Sequence, residues 1–158
     1  MSTIILPVLP SGFDGTAPAG IAFENSIPHM LFDDTTAEGA YWTFRMPADY
    51  SSALTMKLVY SMASATTGTI EFEVSVWAIT DGEATGTESY DTVNNGSETV
   101  PATAGLSSDL SITLTNADSV AANDLVMIRV FRDADDGTND TATGDLELRA
   151  VSLEYTAA

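Results

Sequence analysis

From about Glu38 onward, apolar and polar residues alternate with a period of two, and few folds accommodate that pattern. Trp42, Phe44 and Met46 alternate with Tyr41, Thr43 and Arg45. Leu54, Met56, Leu58, Tyr60 and Met62 do the same, as do Ile70, Phe72, Val74, Val76 and Ala78. Shorter runs follow at Leu110–Leu114 and Val126–Val130, and a last one from Leu146 to Tyr155. Successive strand side chains point to opposite faces, so each run predicts a half-buried β-strand. The last run changes parity between Leu148 and Val151. A one-residue slip turns every side chain over, so a β-bulge near Arg149-Ala150 is expected. Turn residues separate the runs: Ala65–Gly68, Asp81-Gly82, Asn94-Asn95-Gly96, Ala104-Gly105, Asn116–Asp118 and the long loop from Asp133 to Asp145. No segment carries a 3.6-residue apolar stripe, and residues 115–125 have room for one helical turn only. The expected fold is an all-β antiparallel two-sheet sandwich of about eight strands, first a jelly roll. An immunoglobulin-like sandwich, without its Cys-Trp-Cys pattern, is the alternative.

Residues 1–36 read differently. Pro7, Pro10, Pro18 and Pro28 interleave with Gly12, Gly15 and Gly20, which predicts extended, irregular backbone. Yet Ile4, Leu6, Val8, Leu9 and Phe13 are more apolar than a solvated linker requires. The expectation is an extended N-terminal arm (1–36) lying on its own domain or on a neighbour, followed by the sandwich (37–158). The five apolar residues are its candidate partner contacts.

Charge narrows the function. Twenty-three acids face five bases, a formal net charge of −18. Phosphate binding needs clustered Lys and Arg, so direct nucleic-acid binding is excluded as an expectation, and so is an anionic membrane surface. No apolar run reaches the roughly 20 residues of a membrane span, and the apolar start lacks the basic region of a secretory signal. With no cysteine there is no thiolate chemistry. Each scattered cation is expected to meet a carboxylate or lie under a neighbouring loop.

Candidate chemistry is sparse. His29 is the single histidine, which leaves no triad partner set and no multi-histidine zinc site. Glu71 and Glu73 share a sheet face at roughly 7 Å, within the spacing of a glycosidase pair, but such pairs are common on acidic sheets; no enzymatic activity is expected. The densest constellation is Asp133, Asp135, Asp136, Asn139 and Asp140. Its oxygens suit a hard cation such as Ca²⁺, although the spacing is not that of an EF-hand. The alternative is a solvated acidic turn, and Asp33-Asp34 makes a weaker case of the same kind. No other cofactor is expected. Trp77 and Tyr90, with Tyr50, are candidates for a sugar-stacking platform.

Several segments carry a resemblance. These are Ala-Tyr-Trp-Thr-Phe-Arg-Met-Pro-Ala-Asp-Tyr (40–50), Ser-Ala-Thr-Thr-Gly-Thr-Ile-Glu-Phe-Glu-Val (64–74), Ile-Thr-Leu-Thr-Asn-Ala-Asp-Ser (112–119), Arg-Asp-Ala-Asp-Asp-Gly (132–137) and Val-Ser-Leu-Glu-Tyr-Thr (151–156). Together they resemble a family of small β-sandwich virion-associated proteins of tailed bacteriophages and prophages. The resemblance implies a virion structural protein, first a head decoration or cement protein at the particle surface, made in the host cytoplasm. Its implied partners are the major capsid protein or other virion proteins and further copies of itself, a trimer being one arrangement. The family has no agreed catalytic residues, so none is carried over. The alternative is a glycan-binding tail or fibre module.

Overall fold

The computed structural model describes all 158 residues, and it contains eleven strands and no helix. The strands are β1 (Ser2–Leu6), β2 (Gly12–Phe13), β3 (Gly20–Glu24), β4 (Ile27–Phe32), β5 (Glu38–Arg45) and β6 (Tyr50–Met62). Then come β7 (Thr69–Ile79), β8 (Asn94–Thr99), β9 (Ser108–Thr113), β10 (Leu125–Arg132) and β11 (Leu146–Ala157). They form two antiparallel sheets. The first runs β3-β4-β11-β6-β9, with β1 also on β11; the second runs β2-β5-β10-β7-β8. This is the expected two-sheet sandwich.

The alternation places the core. Val126, Ile128 and Val130 of β10, Phe72, Val74 and Val76 of β7, and Met56, Leu58 and Tyr60 of β6 all point between the sheets and are buried. Thirty buried residues form one continuous apolar cluster, the burial that stabilises a sandwich without disulfides. The bulge lies where parity predicts it. Leu148 pairs with Tyr60 and Ala150 with Val59, leaving Arg149 as the extra residue. That insertion lets Leu146 and Leu148 on one side of it, and Val151, Leu153 and Tyr155 on the other, all face inward.

The N-terminal segment requires a correction. Residues 1–36 are extended, but as strands of the sandwich, and no domain boundary falls at residue 36. β1 and β4 lie end to end along the same flank of β11, β1 pairing with Val151–Tyr155 and β4 with Leu146–Leu148. β2 pairs with β5. Pro7 and Pro10 fall between paired stretches, Pro18 makes a lone bridge to Gly39, and Pro28 lies in β4 opposite Phe23, one residue from the hairpin end. The Trp42 indole donates to the Pro7 carbonyl (2.8 Å), fixing the segment over the core. Pairing sets the direction of each side chain: Leu6 is 5% exposed and Ile4 packs against the core, whereas Ile5 is 84% exposed.

Two local expectations also change. Asn94-Asn95-Gly96 is not a turn but the start of β8. Buried Asn94 donates to the carbonyls of Val74 and Asn116 and accepts from the Asn116 N–H, so its side chain tethers the neighbouring loop. Gly96 is there for space: a Cβ would sit 2.4 Å from Cγ1 of Ile112 on the facing sheet. Residues 115–125 form no helical turn; Asp118 and Ser119 adopt positive φ (51° and 54°) instead.

The β1 register makes a paired prediction. Leu6→Ala should lower unfolding stability by about 2–4 kcal/mol, as for other buried leucines. Ile5→Ala should change it by no more than about 0.5 kcal/mol. Equal small effects in denaturant melts would mean that β1 is not part of the folded sheet.

Candidate functional site

The outward face of the second sheet gathers most of the chemistry. Cross-strand pairing sets Trp77 beside Met127, which pairs in turn with Thr43. Arg129 lies between Ser75 and Tyr41, and Phe131 between Glu73 and Gly39. Gly39 is required here, because a Cβ would collide with the Phe131 ring at 2.3 Å. The loop between β7 and β8 folds back and lays Tyr90 against this face. Its ring centroid is 5.9 Å from that of Trp77 and 6.3 Å from that of Tyr41. The Arg129 guanidinium sits 4.8 Å from the Tyr90 ring and 5.5 Å from that of Phe131, and bonds Ser75 Oγ and Glu88. Such cation–π contact holds an aromatic group in place where no hydrocarbon core reaches. The Tyr41 hydroxyl donates to Asp14 Oδ2 at 2.9 Å.

Between these groups lies a groove of about 270 Å³ lined by Ser11, Gly12, Tyr41, Thr43, Trp77, Glu88, Tyr90 and Met127. Aromatic faces beside hydroxyls and a carboxylate give the groove both an apolar surface and hydrogen-bonding groups. The two expected platform residues, Trp77 and Tyr90, are therefore brought together. Trp77, however, is not an exposed platform: Tyr90 covers it, leaving it 8% exposed, and Tyr41 and Tyr90 offer the accessible rings. Tyr50 lies elsewhere, against Tyr155 on the first sheet. A larger hollow of about 600 Å³, between Ile79–Thr85 and Ala122–Leu125, contains no aromatic ring.

The same face ends in the acidic loop. Arg132 closes β10 with its side chain fully buried. Its Nε and Nη2 hold the Asp140 carboxylate in two 2.9 Å bonds. Its remaining N–H groups go to the carbonyls of Phe32, Gly144 and Ala142. Asp140 Oδ2 also accepts from the Glu71 N–H. Asp140 is thus a structural anion, not a free ligand. Its removal from the expected cation set is a correction that follows from the buried guanidinium. Asn139 turns its amide NH₂ toward Asp136 Oδ2, and Asp135 is exposed. What converges is Asp133, Asp136 and Glu71, whose carboxylate oxygens lie within 4.8 Å of one another. Glu71 was legible as an acid on this face but not as a neighbour of the loop, because only strand pairing joins positions so distant in sequence. Burial and the surrounding carboxylates push the Asp133 carboxyl up to about 7. Hydrogen bonds from Thr138 and Asn139 hold Asp136 below the usual range. Burial and Glu71 raise Glu73.

The other candidates resolve simply. His29 is buried beside Glu147 (3.7 Å) and Arg149, a packed position on the first sheet. Among the expected N-terminal contacts, Leu6 and Ile4 are committed to the core, Val8 is half-buried, and Leu9 and Phe13 are partly exposed. Lys57, Arg129, Arg132 and Arg149 each meet a carboxylate, and Arg45 donates to the Asn123 carbonyl.

Comparison with known proteins places the architecture. No protein-family model and no curated protein matches the chain in sequence. Among solved structures, the chain is similar to the CBM35 of Cellvibrio japonicus Abf62 (TM-score 0.54, 10% identity, covering 99% of this chain and 96% of that one). It is also similar to the C-terminal CBM6 of LamC, a laminarinase of Zobellia galactanivorans (TM-score 0.50, 10% identity, 96% and 98%). A third is the CBM22-2 xylan-binding domain of Paenibacillus barcinonensis Xyn10C (TM-score 0.50, 14% identity, 91% and 90%). All three are carbohydrate-binding modules, and at these identities the likeness is one of fold: the jelly-roll β-sandwich.

Two predictions follow from the acidic end. Asp140→Ala strands a buried guanidinium and should cost about 3–5 kcal/mol in denaturant unfolding; a loss below about 1 kcal/mol would show the pair to be solvated. The folded state raises Asp133 from 3.8 to about 7, so it holds the proton more tightly than the unfolded chain. Between those pH values stability should fall as pH rises. In chelator-containing buffer, Asp133→Asn should flatten that part of the pH–Tm curve, and an unchanged slope would assign it to other groups.

Proposed function

We propose that this chain is a non-catalytic glycan-binding module that takes a sugar chain along the outward face of its second sheet. The observation that carries this reading is the groove itself: the accessible rings of Tyr41 and Tyr90, braced by Trp77, Arg129 and Phe131, beside Ser11, Thr43 and Glu88. Rings held rigid by their neighbours lose little entropy when a pyranose stacks on them. The charge is compatible, since neutral polysaccharides require no cationic patch. The likeness to carbohydrate-binding modules, one described as xylan-binding, supports the same reading and suggests neutral plant-type polysaccharides, xylan first. The similar structures are not virion proteins, so they lend nothing to head decoration. In a phage particle this reading corresponds to a tail or fibre module.

One observation favours a second reading, attachment to a larger assembly such as a virion head. Phe23, 68% exposed, and Ile21 lie on one face of the edge strand β3, beyond the core. This is a different apolar surface from Ile4 and Leu6, and it suits a protein neighbour.

Titration calorimetry with xylo-oligosaccharides, preceded by a glycan array, tests the first reading. Tyr90→Ala and Tyr41→Ala should each weaken binding about 10-fold or more, the loss expected when a stacking aromatic is removed. Phe23→Ser should leave it unchanged. A glycan signal insensitive to both tyrosines would move the site elsewhere. No signal on the array, together with particle binding that Phe23→Ser abolishes, would favour the second reading.

A further inference from the structure

We propose that Glu71, Asp133 and Asp136 form a binding site for a hard divalent cation of the Ca²⁺ type. It would lie at the end of the second sheet where β7, β10 and the loop after β10 meet. The inference is independent of the glycan reading. Three carboxyl groups whose oxygens lie within 4.8 Å cannot all be ionised at low cost unless a cation sits among them; without one, a proton must be retained. Glu71 is the decisive member. It is 4% exposed, and its Oε2 has no hydrogen-bond partner. Buried carboxylate oxygens are rarely left unpaired, and a bound ion is one of the few groups that satisfies them.

No cation of the chain can fill that role. Arg132 is nearby, but a guanidinium has five N–H donors, and all five are directed to Asp140, Phe32, Ala142 and Gly144. Arg129 is engaged with Glu88, Ser75 and the Tyr90 ring. Glu71 Oε1 meets only a neutral amide, that of Asn95 at 3.0 Å. The donor set is all oxygen, which suits Ca²⁺ or Mg²⁺ over zinc or copper. Carboxylates from a strand and a loop, completed by water, fit the six to eight ligands and flexible geometry of Ca²⁺ better than the strict octahedron of Mg²⁺. The site is also held in place: the Asp133 N–H donates to the Glu71 carbonyl at 3.0 Å, and Asp136 Oδ1 accepts the Thr138 N–H. The second acidic group, Asp33, Asp34 and Asp145, does not qualify. Its three acids are half-buried, and the group contains no buried unpaired oxygen.

The test is calorimetric titration of chelator-treated, full-length protein with CaCl₂ and with MgCl₂. Thermal melts are run in parallel against NaCl of matched ionic strength, because any salt screens a charge of −18. The expected result is one Ca²⁺ per chain, with Tm raised by about 5 °C or more at a 100-fold excess over Kd, beyond the NaCl effect. Glu71→Gln and Asp136→Asn should each weaken Ca²⁺ binding at least 10-fold, and Asp34→Asn should not. If Glu71→Gln does not fold, Asp136→Asn, on the loop, decides. The proposal is overturned by the absence of saturable Ca²⁺ heat and of any Tm gain beyond NaCl. Unchanged affinity in Asp136→Asn, or loss of binding in Asp34→Asn, overturns it as well.

Discussion

Much of this structure depends on one buried guanidinium. Arg132 ends β10 in the second sheet, yet it donates to the Phe32 carbonyl at the end of β4 in the first. It holds Asp140 and, through it, the Glu71 N–H of β7. It also caps the carbonyls of Ala142 and Gly144 as the chain crosses to β11. A fully buried charge is tolerable only when every donor is satisfied, so this arginine prescribes the path of the loop around it. The long acidic connection is consequently an ordered crossing between sheets, and its remaining acids are presented in fixed positions against β7.

The same interaction gives the charge of −18 a different meaning. Four of the five basic side chains are paired with carboxylates inside the fold. Arg129 braces the aromatic groove, Arg149 sits at the bulge, and Arg132 organises the loop. The cations are structural, and the surplus of acids is left to the surface and to the Glu71–Asp133–Asp136 group. The groove and the acidic end are thus two parts of one sheet face, separated along β7 by Ser75 and Glu73.

The strands and the bulge were legible because each depends on local alternation. Leu146, Leu148, Val151, Leu153 and Tyr155 declare their own inward face, and only an extra residue at Arg149 reconciles them. The N-terminal segment was legible as extended, but not as paired. Prolines announce irregular backbone, whereas the partners of β1 and β4 lie at the opposite end of the chain in β11. Asn94-Asn95-Gly96 has turn composition, yet Asn94 spends its side chain on Val74 and Asn116, and Gly96 makes room for Ile112. Long-range packing overrode local preference there. At the site, Trp77 and Tyr90 were legible as aromatics, but not that one covers the other.

By itself, then, the sequence determined the class of fold and the sign of the surface: period-two patterning permits sheets, and twenty-three acids against five bases leave a strongly negative chain. Tertiary structure alone decided which residues became neighbours. Asp140 went to Arg132, Glu71 came to Asp133 and Asp136, and Tyr90 folded onto Trp77 and Arg129. The physical reason is that contacts across strands are set by register and by where a loop can bury its polar groups. Neither is written in the spacing of residues along the chain.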